Sequence, residues 1–315
     1  AALDAGPSWR LPDVLAGVPE AQDGALGRRR RIFLGAAELR GEATLAEIGA
    51  TSGCELTLVT ALSLHVATAS FDRTLKVWCA GSGRCLRTME GHGDVVGAAA
   101  FSPDGREVVS ASGDATAKIW CVGSGECRRT LEGHGGFVGS AVFSPDGRAV
   151  LTTSSDRVAK IWCAGSGECL HTLEGHGGVV GSAAFSPDGQ KALTASYDHS
   201  ARIWCVVSGA CLRTLEGHGS NVWCAAFSPD ASEVVTASRD RTARIWCAGS
   251  GECLRSLEGH GHEVWSAAFS PGGRAVLTAS PDRTARLWCA GSGGCLRTLA
   301  GHGDVVGSAV FSPDG

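Results

Sequence analysis

The chain has 315 residues, and 28 Lys and Arg against 32 Asp and Glu give it a net charge of −4. This balance argues against a nucleic-acid-binding protein, because affinity for a phosphate backbone depends on an excess of basic residues. No apolar run approaches the roughly 18–20 residues of a membrane-spanning helix, and no signal-peptide pattern opens the chain. Apolar residues make up 43% of the sequence and glycine occurs 45 times, which is typical of a globular protein rich in turns.

The N-terminal residues differ from the rest of the chain. Residues 1–30 are predicted to be a tail or linker, partly disordered, ahead of one domain at residues 31–315. Arg28 to Arg31 form a short basic run, which we interpret as solvated linker rather than as a localisation signal. Because Met89 is the only methionine and the sequence stops within a repeated motif, FSPDG, we expect it to be part of a longer protein.

A motif recurs every 42 residues through most of the chain. Four of its columns hold a histidine preceded by glycine, a hydroxyl residue, an aspartate and a tryptophan. The first copy has Ala50 in place of the histidine, so we expect it to be the least firmly tied. In the second to sixth copies the columns are His92, Ser110, Asp114 and Trp120; His134, Thr152, Asp156 and Trp162; His176, Thr194, Asp198 and Trp204; His218, Thr236, Asp240 and Trp246; and His260, Thr278, Asp282 and Trp288.

Each copy is predicted to form four short antiparallel strands. In the third copy the strands are GFVGSAVF, AVLTTS, VAKIWC and CLHTLE. Between the first two, Ser144-Pro145-Asp146-Gly147 fits a type I turn, with a glycine that can adopt the left-handed conformation. A single sheet of this kind cannot bury both faces, so neighbouring copies must stack. The sequence therefore predicts an all-β fold, a β-propeller of four-stranded blades.

Gly-His, FSPDG, a later Asp and a strand ending in Trp, at a period near 40, resemble the WD40-repeat family. The resemblance covers about residues 41–315 and implies a propeller, commonly of seven blades, that serves as an interaction platform. One departure is uniform, since Trp-Cys replaces Trp-Asp in all six copies.

Six copies are complete, from near Cys54 to near Leu299, and a seventh begins at Gly301. We expect a nearly closed seven-bladed ring, with residues 41–48 as an outer strand of the last blade; residues 31–36 align poorly with a third strand. The alternative is an open arc cut from a longer array.

The hydroxyl, histidine and aspartate of each of the second to sixth copies also suggest a nucleophilic triad. Five identical active sites in one domain are improbable for an enzyme, and in the WD40 family these groups and the Trp form a structural hydrogen-bond chain. An indole N–H only donates a hydrogen bond, a carboxylate only accepts one, and a hydroxyl or a neutral imidazole can donate and accept. A chain of these four groups can therefore give every member a hydrogen-bond partner. No catalytic residue and no cofactor are expected.

Twelve of the 14 cysteines form pairs at Cys-x5-Cys spacing, such as Cys247 and Cys253. Two thiols per copy are too few for a structural zinc site, so no metal is expected. A disulfide across the hairpin remains an alternative. Since nothing indicates secretion, we expect reduced thiols and an intracellular, cytoplasmic location.

Columns in which near-identical repeats differ are free to serve a partner. In the WD40 family these columns face the rim of the central channel. Tyr, Trp and Arg are enriched at binding hot spots, and here they concentrate in the fourth to sixth copies. The predicted partner-binding residues are Phe71, Phe137, Tyr197, Asn221, Trp223, Arg239, Glu263 and Trp265. The alternative is neutral drift among recent duplicates.

A further column, directly after the Asp, holds mostly Arg, as at Arg157 and Arg241, which we interpret as solvated turn residues. The sequence thus predicts a non-catalytic scaffold for proteins or peptides, without nucleic-acid, membrane or metal partners. The alternatives are a substrate-recruiting module of a ubiquitin ligase or signalling protein, or a ciliary dynein-arm assembly adaptor.

Overall fold

A computed structural model describes residues 28–34, 37–39, 56–62 and 64–312, with side chains from residue 64 onward. These residues divide into two compact units. The first contains residues 28–34, 37–39, 56–62, 64–66 and 78–86, and the second contains residues 67–77 and 87–312. Every regular element in the described ranges is a β-strand. None of these ranges holds a helix with the length and apolar character to span a membrane.

The second to sixth repeats each form one four-stranded antiparallel sheet, with the strands in sequence order. Their strands are β7 (Val96–Phe101), β8 (Glu107–Ser112), β9 (Ala117–Cys121) and β10 (Cys127–Leu131); β11 (Val138–Phe143), β12 (Ala149–Ser154), β13 (Ala159–Cys163) and β14 (Cys169–Leu173); β15 (Val180–Phe185), β16 (Lys191–Ser196), β17 (Ala201–Cys205) and β18 (Cys211–Leu215); β19 (Val222–Phe227), β20 (Glu233–Ser238), β21 (Ala243–Cys247) and β22 (Cys253–Leu257); and β23 (Ser266–Phe269), β24 (Ala275–Ser280), β25 (Thr284–Cys289) and β26 (Cys295–Ala300). The predicted all-β fold of four-stranded propeller blades is confirmed.

The beginning of the chain departs from the repeat pattern. Its strands are β1 (Arg28–Leu34), β2 (Ala37–Leu39), β3 (Leu56–Leu62), β4 (His65–Ala69), β5 (Leu75–Cys79) and β6 (Cys85–Met89). The expected first strand of the first repeat corresponds to β3, but β3 pairs with β1 and leaves β4, β5 and β6 as a three-stranded sheet. This repeat has no histidine in the repeated column, so the hydrogen bonds that hold the preceding loop in later repeats are not available to it.

The basic run is also not a linker, because β1 includes Arg28 to Arg31 and pairs along its whole length with β3. Residues 1–27 and 41–48 lie outside the described residues, so the predicted tail and the outer strand of a seventh blade stay predictions.

The start of the seventh repeat forms no strand within residues 301–312. In the second to sixth repeats the first strand is held by the second strand of the same repeat, and this segment makes no such pairing. It is nevertheless docked. The N–H of Val306 donates to the carbonyl of Ser280, and its side chain packs against Leu277, Ala279 and Ala285 of the sixth repeat.

The hydrophobic core lies between consecutive repeats. Between the second and third, Val109, Ile119 and Leu131 pack against Val138, Val150 and Trp162. The same columns meet at each later junction between complete repeats. Each repeat therefore offers one face to the repeat before it and the other to the repeat after it, as nearest-neighbour stacking requires. Because each of these junctions joins two copies of the same motif, one pattern of apolar residues serves all of them.

The turn between the first and second strands has the predicted geometry. The N–H of Gly147 donates to the carbonyl of Ser144 at 2.9 Å, and Gly147 has a φ of 72°. In the fifth repeat this left-handed position is held by Ala231, with a φ of 58°. A left-handed conformation costs a residue with a Cβ about 1–2 kcal/mol, and glycine escapes this cost.

We expect Ala231→Gly to stabilise the protein. The relief of left-handed strain exceeds the added chain entropy of glycine, so the free energy of unfolding should rise by about 0.5–1 kcal/mol. Urea unfolding at equilibrium measures the change. Gly147→Ala is the matched control and should lower the free energy of unfolding by a similar amount. A lower stability for Ala231→Gly would contradict the strain argument.

Candidate functional site

The four repeated polar columns are joined by hydrogen bonds. In the third repeat, Trp162 Nε1–H donates to Thr152 Oγ1 at 2.7 Å, and Thr152 Oγ1 lies 2.7 Å from His134 Nε2. His134 Nδ1 lies 2.9 Å from Asp156 Oδ2, which also accepts the N–H of Gly135 at 2.8 Å. We call this set of four side chains the quartet. It links the third strand, the second strand, the loop before the first strand and the turn between the second and third strands.

The quartet has the same geometry in all of the second to sixth repeats. His Nδ1 lies 2.7–2.9 Å from the Asp oxygen and His Nε2 lies 2.7–2.8 Å from the hydroxyl. Trp Nε1–H donates to that hydroxyl at 2.7–2.9 Å. Since the hydroxyl residue is completely buried in each case, no substrate reaches it, and the arrangement suits a structural tie rather than a nucleophile.

Burial fixes the protonation of the quartet. Loss of hydration lowers the pKa of His92, His134, His176 and His260, although their aspartates act in the opposite direction. These histidines are therefore neutral at pH 7, with the proton on Nδ1 facing the carboxylate. As pH falls below 6.5, the unfolded chain takes up protons first, so the quartets lose stability from that pH downward.

The aspartates extend this dependence to lower pH. Burial alone would raise the pKa of Asp114, but hydrogen bonds from Thr116, the N–H of Gly93 and His92 lower it to about 2. The unfolded chain again binds protons first as pH drops below the ordinary carboxylate range, so this contribution is lost between roughly pH 4 and pH 2.

Four of the eight predicted partner-binding residues line one hollow. Trp223, Arg239, Glu263 and Trp265 surround a space of about 510 Å³ at the junction of the fifth and sixth repeats. Glu263 joins the set together, because Oε1 lies 3.1 Å from Arg239 Nε and Oε2 accepts Trp265 Nε1–H at 3.1 Å. We call these four residues the aromatic hollow.

Tyr197 extends the aromatic hollow into the fourth repeat. Its ring meets that of Trp223 edge-on, with the centroids 4.9 Å apart. It lies over Gly181, which occupies the column of Trp223 and Trp265 one repeat earlier. A Cβ at Gly181 would lie 3.2 Å from the Tyr197 ring, so the small residue makes room for the large one.

The remaining predicted partner-binding residues are placed differently. Phe137 is exposed and its ring lies over Gly97 and Gly139, which are in the same glycine column. Phe71 is 81% exposed and no described contact links it to the hollow. Asn221 is half-buried, and its backbone carbonyl accepts the N–H of Arg239. The structure thus brings together Tyr197, Trp223, Arg239, Glu263 and Trp265, with Asn221 as a backbone support.

The model of the WD40 family, described as "WD domain, G-beta repeat", matches five consecutive stretches that together cover more than half of the chain. They are residues 83–121, 125–163, 167–205, 209–247 and 251–289, each ending at a Trp-Cys pair. The chain belongs to the WD40 family.

The chain is similar to curated nuclear distribution proteins over about one repeat length. The nuclear distribution protein PAC1 of Mycosarcoma maydis is 46% identical over 44 residues, which is 14% of this chain and 10% of that protein. PAC1 of Cryptococcus neoformans var. neoformans serotype D (strain JEC21 / ATCC MYA-565) is 46% identical over 43 residues, again 14% of this chain and 10% of that protein. The chain thus spans about a tenth of the length of the curated relatives it matches.

The WD40 repeats also carry a contact between neighbours that the sequence reasoning missed. Arg129 lies on the fourth strand of the second repeat. Its Nε–H donates to the carbonyl of Gly165 in the third repeat at 2.8 Å. Arg87 and Arg213 make the equivalent contact, and His171 replaces the guanidinium with Nε2 at 3.0 Å from Val207 O. The sequence signal that could have revealed this contact is the basic residue that recurs at the third position of the fourth strand.

The cysteine pairs of the second to sixth repeats are free thiols. The alternative of a disulfide across the hairpin is wrong for these repeats, because the pairing register of the third and fourth strands does not place the two cysteines opposite each other. Cys169 pairs with Trp162 across the hairpin, and a bulge in the ladder separates it from direct opposition to Cys163. Residues 64–312 contain no group of three or more His, Cys, Asp or Glu side chains that could hold a metal ion.

Cys121 differs from the equivalent thiols of the other repeats. Hydrogen bonds from the hydroxyl and N–H of Ser124, with further help from Gly123 and Arg128, lower the pKa of Cys121 to about 7. The Arg128 guanidinium lies 3.4 Å from Sγ, at a position where the next four repeats have leucine.

We therefore expect Cys121 to be alkylated by iodoacetamide with a midpoint near pH 7, about one to two pH units below an ordinary thiol. Arg128→Leu should move the midpoint upward, because the thiolate loses the guanidinium of Arg128 as a hydrogen-bond partner. Peptide mass spectrometry across a pH series gives the rates, and Cys163 in the same molecule is the internal control. Identical pH profiles for Cys121 in the wild type and in Arg128→Leu would refute the role of Arg128.

Proposed function

We propose that this WD40 chain is a non-catalytic scaffold that binds other proteins through the aromatic hollow and Tyr197, over its fourth to sixth repeats. The observation that carries the proposal is the convergence of two tryptophans, an arginine and a glutamate on one hollow. The framework positions of the same repeats are nearly identical. Large aromatic side chains and arginine supply most of the binding energy at protein interfaces when they can be desolvated together.

The neighbouring repeats support this assignment by contrast. The columns of Trp223 and Trp265 hold Gly97, Gly139 and Gly181 in the second to fourth repeats. Folding therefore needs no large residue in this column. Trp265 is 39% exposed, and its indole N–H is held by Glu263, so the ring is both accessible and fixed in orientation. A side chain that is ordered before binding loses less entropy on binding.

The proposal includes the absence of catalysis and a reducing compartment. The hydroxyl and histidine side chains that suggest a triad are buried, and they are engaged with the aspartates in the quartets. Free thiols in the second to sixth repeats fit an intracellular, cytoplasmic location, where thiols stay reduced.

The test is the double variant Trp223→Ala/Trp265→Ala. Proteins captured by the wild-type chain from cell extract are identified by mass spectrometry, and each purified partner is then titrated directly. Loss of two hot-spot aromatics should weaken binding by tenfold or more, since each such truncation costs about 2 kcal/mol or more.

Leu170→Ala/Leu254→Ala is the matched control, because these two leucines are about as exposed as Trp265 and lie on fourth strands away from the hollow. It should leave partner affinity unchanged. Unchanged affinity in the tryptophan variant, with a wild-type unfolding temperature, would reject the hollow as the binding surface.

A further inference from the structure

The charges of the aromatic hollow are unequally available. The Glu263 side chain is only 18% exposed, and both of its oxygens are engaged, one by Arg239 Nε and the other by Trp265 Nε1–H. A cation arriving from a partner would have to compete with Arg239 for this carboxylate. Glu263 thus acts as a support for its two neighbours rather than as a contact for a ligand.

Arg239 is the accessible charge. Its side chain is 57% exposed, and within residues 64–312 the structure gives its guanidinium a single partner, Glu263, through Nε. The two terminal nitrogens therefore keep their N–H groups for a ligand. The ion pair with Glu263 keeps the guanidinium at the hollow, and the two terminal nitrogens together offer the fork that binds a carboxylate in bidentate fashion.

A second donor lies in the wall of the hollow. Trp223 Nε1 is buried and has no hydrogen-bond partner among the described residues. A buried N–H without an acceptor is unfavourable, so a peptide whose binding shifts the indole and brings an oxygen to this N–H gains from the exchange. The uncommitted polar groups of the hollow are therefore all donors, set among aromatic rings. An acceptor with apolar surroundings is the ligand that complements them.

The size of the hollow limits what enters it. About 510 Å³ is in the range of pockets that take a small ligand or one to two side chains, and is too small for a whole helix. A partner therefore inserts a short stretch of peptide.

We propose that the aromatic hollow binds an aspartate or glutamate side chain of a partner peptide, with the carboxylate on the Arg239 guanidinium. The neighbouring apolar side chain of the peptide packs against Trp223 and Trp265. This inference rests on the proposed function and adds the chemistry of the partner to it.

The experiment selects peptides from a random twelve-residue library displayed on phage, with the immobilised wild-type chain as bait. Clones that the variant Trp223→Ala/Trp265→Ala fails to retain are sequenced. We expect them to share an acidic residue beside an aromatic or aliphatic one. A synthetic fluorescent copy of the strongest clone is then titrated by fluorescence polarisation against wild type, Arg239→Gln, Arg239→Lys and Arg241→Gln.

The decisive measurement is a double-mutant cycle between Arg239→Gln and replacement of the peptide's acid by its amide. Each single change should weaken binding by about tenfold, and the second should add little once the first is made. Arg239→Lys should restore part of the affinity, because it keeps the charge and loses the planar fork. Arg241→Gln removes an equal charge from an exposed residue outside the hollow and should have little effect.

The outcomes separate the two proposals. If every selected peptide is retained by the tryptophan variant, or if neither this library nor one of phosphoserine peptides yields a ligand, the hollow is not a peptide-binding surface and the proposed function fails with it. If peptides need the tryptophans but are basic or purely apolar, or bind Arg239→Gln as well as wild type, only the proposed contact between a peptide carboxylate and Arg239 is overturned. Retention of phosphoserine peptides from a second library, with no acidic peptide from the first, also overturns the carboxylate.

Discussion

The rest of the structure depends on a buried hydroxyl that lies between an indole and an imidazole. In each quartet, the hydroxyl accepts the tryptophan N–H from the third strand and lies against the histidine that precedes the first strand. Buried polar groups are stable only when each has a partner, and here every group has one because donors and acceptors alternate along the chain. The aspartate at the end holds the N–H of the residue after the histidine, which fixes the loop in two places.

That loop and the turn that holds the aspartate carry the residues that differ between repeats. Glu263 and Trp265 follow His260 within five residues, and Trp223 stands in the same relation to His218. Arg239 directly precedes Asp240, the carboxylate that holds His218. Each residue of the aromatic hollow thus projects from a segment anchored by a quartet. The residues that stabilise the fold and the residues proposed to bind a partner occupy different columns of the repeat. The quartet can therefore stay constant while the residues beside it change.

Much of the fold was predictable because comparison of the repeated copies shows which residues they share. Six copies of a 42-residue motif show which columns folding requires, and the turn at Ser144 to Gly147 follows from local conformational preference. The grouping of Tyr197, Trp223, Arg239, Glu263 and Trp265 was also indicated by their uneven distribution. That they bind a partner stays a proposal.

Other features depend on pairings that no local pattern specifies. The pairing of β3 with β1, in place of the second strand of its own repeat, was missed because strand propensity does not reveal which strand lies beside a given strand. The contact from Arg129 to Gly165 spans 36 residues and joins a side chain to a backbone carbonyl, which leaves only a weak trace in the sequence. The cysteine register depends on a bulge in the ladder. The part played by Glu263 as a support, rather than as a binding charge, needed the distances to both of its neighbours.

The most direct test of the central claim is nitrogen NMR of the quartet histidines in protein with ¹⁵N-labelled histidine. We predict that His92, His134, His176 and His260 are neutral at pH 7, with the proton on Nδ1. We also predict that they titrate only below pH 6.5, because burial disfavours the imidazolium. A proton on Nε2, or titration at or above pH 6.5, would contradict the hydrogen-bond order on which the structure depends.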